Sequence, residues 1–274
     1  MPVPQWYWKV SAWTVADGEA EWLLFSDVEQ ELIEQAYVGG EKQVELDHYI
    51  IDFEKLIQMR KSDETKQRNI KRIFIDHKPL ILRQERFFIT QKLSSDKSSF
   101  GDAWRFDDSE FIQLWAQQFT HQHYYKTGKT HKQLDDVLTV EIIIDLAADG
   151  ILAEGEELAQ KYAAESLAQE LKNVIGQDLN GIYECCLRLY TRTGFLCQLI
   201  NRTLREDDLS KLNTLGPYCY LLYKSTVERQ SKHTLPVSSI LYRGALLDYE
   251  QIESYRSSVG RLRSWLGFSS TTKN

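Results

Sequence analysis

The segment Trp6-Tyr7-Trp8 begins an aromatic-rich stretch that decides the fold of the first part of the chain. So many large aromatic side chains require a folded module that removes them from water. Residues 9–15 alternate polar and apolar side chains, which predicts a half-buried strand. After a polar turn, residues 21–25 predict the returning strand. Two aromatic residues are predicted to lie in the core of this module: Trp6 and Trp22.

A helix is predicted to follow these strands. Ser26 can cap its N-terminus, apolar residues recur at helical spacing behind it, and Gly39-Gly40 ends it. The order strand, strand, helix and further strands is typical of an α+β fold. The later regions of this module are predicted as strands at residues 44–53, 56–60 and 68–75, with a polar turn at residues 61–66.

Composition excludes several classes of protein. The chain has 274 residues and a net charge of −7, which argues against a general nucleic-acid binder. It shows neither a secretory signal nor a membrane-spanning apolar run, so we expect no membrane partner and a cytoplasmic location, with a nuclear one as the alternative. The cysteines lack metal-ligand spacing and are predicted to be free thiols, a disulfide being the less favoured alternative. No metal site is predicted, because His121, His123 and His131 are interpreted as part of a solvated loop.

Several separate motifs in residues 5–75 occur together in a characteristic order. Trp6-Tyr7-Trp8 is followed by Trp22 and then by Glu34 within a helical pattern. This combination resembles the WWE family, named for two Trp and one Glu. The resemblance implies a half-barrel sheet with one helix and a pocket for the ADP-ribose junction of poly(ADP-ribose). The remaining motifs that carry it are residues 33–37, residues 49–53, Gln58 and residues 68–72.

The resemblance assigns four residues to that ligand pocket: Trp8, Tyr49, Gln58 and Arg68. An aromatic wall can stack on adenine, and the amide of Gln58 can both donate and accept hydrogen bonds. The guanidinium of Arg68 can hold phosphate oxygens in a bidentate contact. Members of the family often have Tyr at the position of Trp8, so one hydroxyl contact is expected to be missing here.

Two alternatives to ligand binding stay open for this module. Arg68, Lys71 and Arg72 could form a solvated basic edge strand. Some WWE domains serve only as interaction modules.

Composition changes beyond the first module. We predict a WWE domain at residues 1–80, a linker at 81–104 that contains a Ser- and Lys-rich stretch, and a second domain at 105–274. A strand at residues 238–246, a short helix at 250–257 and a strand at 261–272 are predicted near the end. Helical patterns precede them at residues 110–119, 134–146, 156–175, 183–204 and 212–227.

The second domain carries the motifs Leu241-Tyr242-Arg243-Gly244 and, further on, residues 265–272 with Ser270-Thr271. These resemble the arginine-specific mono-ADP-ribosyltransferases with the R-S-E catalytic pattern. Upstream residues, among them Tyr190 and Asn201, are similar to that family's helical subdomain. The resemblance implies NAD or NADP as substrate, Arg243 and Ser270 as catalytic residues, and binding of NAD by Arg243, Gly244, Ser270 and Thr271.

The third catalytic residue of that family is a Glu located well past the Ser. No Glu follows Ser270, and Glu253 lies between Arg243 and Ser270, out of order. We therefore expect an incomplete ADP-ribosyltransferase β-sandwich, a fragment that is inactive by itself.

Two functions follow from these resemblances. The first is an arginine ADP-ribosyltransferase that carries a reader of poly(ADP-ribose) or iso-ADP-ribose and modifies arginine-containing acceptor proteins. The alternative is a non-catalytic protein that binds poly(ADP-ribose) or interacts with a partner.

Overall fold

The computed structural model describes residues 2–10, 22–76, 100–101, 109–127, 137–192, 194–232, 249–257, 259–260, 264–265 and 268. The chain divides into two compact units. The first contains residues 1–82 together with 155–166 and 192–194, and the second contains 83–154, 167–191 and 195–274. The predicted domain bounds at residues 80 and 104 stay predictions.

The first unit contains a six-stranded, wholly antiparallel sheet in the order β2-β1-β6-β5-β4-β3. The long strand β6 lies at its centre and pairs with β1 on one side and β5 on the other. The strands are β1 (Val3–Lys9), β2 (Trp22–Leu24), β3 (Gln43–Glu45), β4 (Tyr49–Asp52), β5 (Ile57–Arg60) and β6 (Asp63–Ile75).

Two strand predictions need correction. Outside them, the aromatic segment itself forms the strand β1, while residues 11–15 of the strand predicted at 9–15 lie outside the described residues. Residues 44–53 form two strands, because the backbone reverses where the Leu46 N–H donates to the Tyr49 carbonyl at 2.8 Å. The polar turn is shorter than predicted, since β6 already starts at Asp63. The returning strand β2 is confirmed.

Helix α1 (Asp27–Val38) begins and ends where its sequence predicts. Ser26 accepts a hydrogen bond from the Glu29 backbone, and the Glu29 side chain accepts one from the Ser26 backbone, which completes a capping box. At the other end, the Gly39 N–H donates to the Gln35 carbonyl at 2.8 Å. Gly40 takes a φ of 78°, a conformation that glycine adopts without steric cost.

The core of the first unit lies between α1 and one face of the sheet. Its buried members come from the strands, the helix and the turns. Trp6 is 1% exposed, which confirms its predicted place in the core. The cluster consists of Trp6, Phe25, Ile33, Leu46, Ile51 and Ile70.

The described part of the second unit is mainly helical, so the α+β organisation of the chain holds, while an ADP-ribosyltransferase sandwich is not shown. α3 and α4 contribute residues to both units. The helices are α2 (Glu110–Thr127), α3 (Val137–Glu157), α4 (Lys161–Lys172), α5 (Leu179–Thr191), α6 (Phe195–Glu206), α7 (Leu212–Lys232) and α8 (Tyr249–Ser257). Two short strands, β7 (Phe100–Gly101) and β8 (Ser264–Trp265), pair with each other.

The single helix predicted at residues 183–204 is wrong, because α5 and α6 are separate helices. Gly194 stands between them with a φ of 154°, which is not helical. The short helix predicted at residues 250–257 is confirmed as α8. The strand predicted at 238–246 lies outside the described residues, as does most of the one predicted at 261–272.

Cysteine and histidine residues were also assigned from the sequence. All four cysteines are free thiols, as predicted. The solvated loop is wrong for His121 and His123, which lie in α2; His123 is 9% exposed and its ring stacks on Phe119. His131 lies outside the described residues. Within the described ranges, no helix has the length and apolar character needed to cross a bilayer.

Candidate functional site

Strand register places the four predicted ligand residues on one face of the sheet. Trp8 pairs with Ile70, and Arg68 lies two residues before Ile70 on β6. Gln58 pairs with both Arg68 and Ile51. Tyr49 lies two residues before Ile51 on β4. Since side chains alternate along a strand, all four point to the same side as the core residues Ile51 and Ile70. We call this side of the sheet the inner face.

Helix α1 is fixed to the Trp6 end of the inner face. The Trp6 backbone N–H donates to the side chain of Gln30 at 2.7 Å, and the Gln30 amide donates back to the Trp6 carbonyl at 2.7 Å. The Trp6 ring packs against Tyr37 and Phe53. Sequence reasoning missed Gln30, although it precedes Glu34 by one helical turn and therefore shares its side of α1.

Glu34 joins the helix to the sheet through two strands. Its carboxylate accepts a hydrogen bond from the Trp6 indole at 2.9 Å and two from the Arg72 guanidinium at 2.9 and 2.5 Å. The bonds from Arg72 and Trp6 lower the pKa of Glu34, and Glu34 in turn raises the pKa of Arg72. Arg72 also lies against the rings of Tyr37 and Phe74. The Glu of the motif thus has a structural role.

Arg68 lies further along the same strand in different surroundings. Its guanidinium carbon lies 4.8 Å from the ring centroid of Trp8, a cation–π contact between two half-buried residues. Among the described residues, no carboxylate forms an ion pair with Arg68. The charge of this arginine is therefore available to an anion that approaches the inner face.

Gln58 adds a polar group beside Arg68. The residue is only 2% exposed, and within the described part of the chain its side-chain amide makes no hydrogen bond. The donors and the acceptor of this amide are therefore not used by any described residue and can bond to a ligand. Tyr49 is half-buried and touches His48 edge-to-face.

Two sequence interpretations are wrong at this sheet. Trp22 pairs with Lys9, which places it on the outer face, where the Lys71 amine lies 4.1 Å from its ring. It is half-buried and not part of the core cluster. The interpretation of Arg68, Lys71 and Arg72 as a solvated basic edge is wrong for Arg72, whose guanidinium is bonded to Glu34. The register pairs Arg68 with β5 alone and Lys71 and Arg72 with β1 alone.

The second predicted site cannot be placed. Arg243, Gly244, Ser270 and Thr271 lie outside the described residues. Its neighbour Phe268 is described, and its carbonyl accepts a hydrogen bond from the Tyr190 hydroxyl at 2.8 Å.

Asn201 completes this contact. Its amide donates to the Tyr190 hydroxyl at 2.9 Å, and the rings of Tyr190 and Phe268 meet edge-to-face. Phe268 is therefore bonded to Tyr190 of α5, whose hydroxyl is also bonded to Asn201 of α6.

Comparison with known proteins identifies the family of the segment that carries the inner face. The family model of the WWE domain matches residues 4–72, which span β1 to β6. This segment is a WWE domain, a class of small module that binds poly(ADP-ribose) or iso-ADP-ribose. An ADP-ribosyltransferase domain is not shown by any family match. The chain matches no curated protein.

Proposed function

We propose that the WWE domain of this chain binds the iso-ADP-ribose junction of poly(ADP-ribose) on its inner face. One observation carries the proposal: the guanidinium of Arg68, which pairs with no carboxylate of the described residues, lies against Trp8 and beside Gln58. A cation, an aromatic ring and an amide are the three groups that a phosphate, a base and ribose hydroxyls require.

The chemistry assigns a separate task to each side chain. Arg68 would contact phosphate oxygens through two parallel N–H donors, and Gln58 would bond to the base edge or a ribose hydroxyl. The rings of Trp8 and Tyr49 would form the wall against which adenine stacks. The whole chain carries a charge of −7, so a local cation is needed to bind a polyanion.

Calorimetric titration of the full chain with iso-ADP-ribose tests this function. We expect one binding site per chain and competition by poly(ADP-ribose). Circular dichroism on the same sample verifies that the chain is folded. A folded chain that gives no binding to either ligand would exclude the reader and favour a module for protein interactions.

We further propose that residues 105–274 provide an NAD-binding part of an arginine-specific mono-ADP-ribosyltransferase. The supporting observation is that Tyr190, Asn201 and Phe268, all within the resemblance to that family, form one hydrogen-bonded group. In this proposal Arg243 grips the pyrophosphate of NAD, with Gly244, Ser270 and Thr271 beside it.

NAD titration of wild type and two matched variants tests this second function. Arg243→Lys keeps the charge but loses the two-pronged grip, so NAD affinity should fall by about tenfold. Arg256→Lys is the control, because Arg256 pairs with Glu253 within α8. Equal affinity in both variants, or no NAD binding by the wild type, would favour a non-catalytic reader.

A further inference from the structure

The first unit includes a segment far from the WWE domain in sequence. Residues 155–166 belong to the same compact unit as residues 1–82. Within that unit, the start of α4 contacts the turn between β3 and β4, residues 46–48, which we call the β3–β4 turn. The side chain of Gln160 lies 3.0 Å from the His48 ring nitrogen Nε2, and stronger contacts flank this one.

Asp47 caps helix α4 from the β3–β4 turn. Its carboxylate accepts hydrogen bonds from the backbone N–H groups of Tyr162 and Ala163 at 2.7 and 3.3 Å. The first N–H groups of a helix have no partner within the helix, and a negative charge there is favourable. Gln160, which precedes α4, is not a preferred capping residue. Asp47 therefore supplies the missing cap.

Tyr162 forms a second connection on the side of β3. Its hydroxyl donates to Glu45 at 2.8 Å, and the Lys61 amine lies 3.0 Å from the same carboxylate and 4.4 Å from the Tyr162 ring centroid. The hydroxyl lowers the pKa of Glu45, and Glu45 raises the pKa of Tyr162. The pair therefore keeps its donor and acceptor roles at neutral pH.

The same turn determines the position of Tyr49. Leu46 is buried in the core, its N–H bonds to the Tyr49 carbonyl, and the Lys61 N–H donates to the His48 carbonyl at 3.0 Å. Glu45 pairs with Ile50, whose side chain points away from the inner face. Tyr162 thus contacts the outer side of this hairpin and leaves the inner face free for a ligand.

We propose that Asp47 and Tyr162 are positioning residues of the reader: the start of α4 fixes the β3–β4 turn from outside and thereby holds the Tyr49 wall of the ligand site. This inference rests on the proposed reader function. The start of α4 then supports the ligand site from outside, so that a substitution of Tyr162 alters ligand binding at Tyr49.

Binding of iso-ADP-ribose by full-chain variants tests the inference. Asp47→Ala should weaken binding by about fivefold, the size of one helix cap. Asp47→Asn keeps an acceptor oxygen and should stay within about twofold of wild type. The matched control is Asp63→Ala, since Asp63 caps its own turn by accepting two bonds from Thr65 and makes no contact with α4. It should bind as wild type does.

Hydrogen exchange of the ligand-free chain gives a readout that does not depend on binding. Peptides that cover residues 45–52 should exchange faster in Asp47→Ala and at the wild-type rate in Asp63→Ala. Should Asp47→Ala not fold, Tyr162→Phe removes only the hydroxyl. It should show the same changes at a smaller size, about twofold in affinity.

The outcomes separate this inference from the reader function. If Arg68→Ala loses binding while Asp47→Ala and Tyr162→Phe bind and exchange as wild type does, the positioning role is overturned and the reader stands. If the wild-type chain does not bind iso-ADP-ribose, the reader function itself fails and the positioning of a ligand wall fails with it.

Discussion

Arg68 and Arg72 lie on the same strand and the same face of the sheet, four residues apart, yet their surroundings differ. Arg72 forms two hydrogen bonds with Glu34 and lies between two aromatic rings. Arg68 contacts one ring, that of Trp8, and is not neutralised by any carboxylate of the described residues. The Arg72 end of the inner face is therefore covered by α1 and its charge is neutralised. The Arg68 end is not covered by α1, and its charge is not neutralised by the described residues.

This difference separates stability from function within one sheet. An arginine that is paired and packed stabilises the folded state, and its hydrogen-bond donors are already used, so few remain for a ligand. An arginine without an acidic partner contributes less to folding and can bind an anion strongly. The comparison predicts that substitution of Arg72 mainly lowers stability and that substitution of Arg68 mainly lowers affinity. The following experiments can contradict it.

The largest effect is expected at the Arg72 end. Arg72→Ala leaves the Glu34 carboxylate with only the Trp6 indole, and both side chains of the pair are about one-fifth exposed. We expect the free energy of unfolding to fall by about 2–4 kcal/mol, between the values for surface and buried pairs. Urea unfolding of the full chain, followed by tryptophan fluorescence, measures it. A change below about 0.5 kcal/mol would show that this end is not the anchor.

The next effect is expected at the Arg68 end. Arg68→Ala removes a charge-assisted phosphate contact, so the binding free energy of iso-ADP-ribose should fall by about 1.5–3 kcal/mol. Because Arg68 has no acidic partner to leave unsatisfied, the free energy of unfolding should fall only by the value of its contact with Trp8, about 0.5–1 kcal/mol. Calorimetry and urea unfolding of the same protein give both numbers. A loss of stability without a loss of affinity would reverse the roles of the two arginines.

A smaller effect depends on pH and on Glu34. Its pKa is lowered below the ordinary value of 4.5, chiefly by the bond from Arg72, so its stabilising contribution is complete above that value and is lost as the pH falls through the lowered pKa. We expect the stability advantage of wild type over Glu34→Gln to be constant from pH 7 to about 5 and to shrink below about 4.5. An advantage that persists unchanged to pH 3 would contradict this assignment.

Local signals in the sequence predicted the local structure well. Ser26 and Glu29 form the capping box that bounds α1, and Gly39-Gly40 ends this helix, because caps depend on residues within one turn. The common face of Trp8, Tyr49, Gln58 and Arg68 needed strand register, which the sequence does not specify without a known family. The family resemblance supplied the pocket assignment, and the register places these residues on one face of the sheet.

Features that depend on distant residues were missed. The β3–β4 turn has no Gly or Pro to mark it, and its Asp47 caps a helix that begins more than one hundred residues later. The side of the sheet occupied by Trp22 follows from its pairing with Lys9 and not from its apolar character. A tryptophan therefore indicates a folded module, whereas the face of the sheet on which it lies can be known only from the strand topology.

The smallest effect, and the sharpest control, is expected for Lys71. This residue lies three positions from Arg68 on the same strand but on the outer face, where its amine contacts Trp22 and Tyr7. If general positive charge along β6 attracted the polyanion, Lys71→Ala would weaken binding about as much as Arg68→Ala, and both losses would shrink equally with salt.

Specific binding by Trp8, Gln58 and Arg68 predicts a different result. Lys71→Ala should change iso-ADP-ribose affinity by less than about twofold and reduce stability by about 0.5–1 kcal/mol, the value of an exposed cation–π contact. Titration of Lys71→Ala and Arg68→Ala at 50 and 300 mM salt compares the two directly. Equal losses at low salt would mean that strand charge, not the Trp8, Gln58 and Arg68 arrangement, accounts for binding.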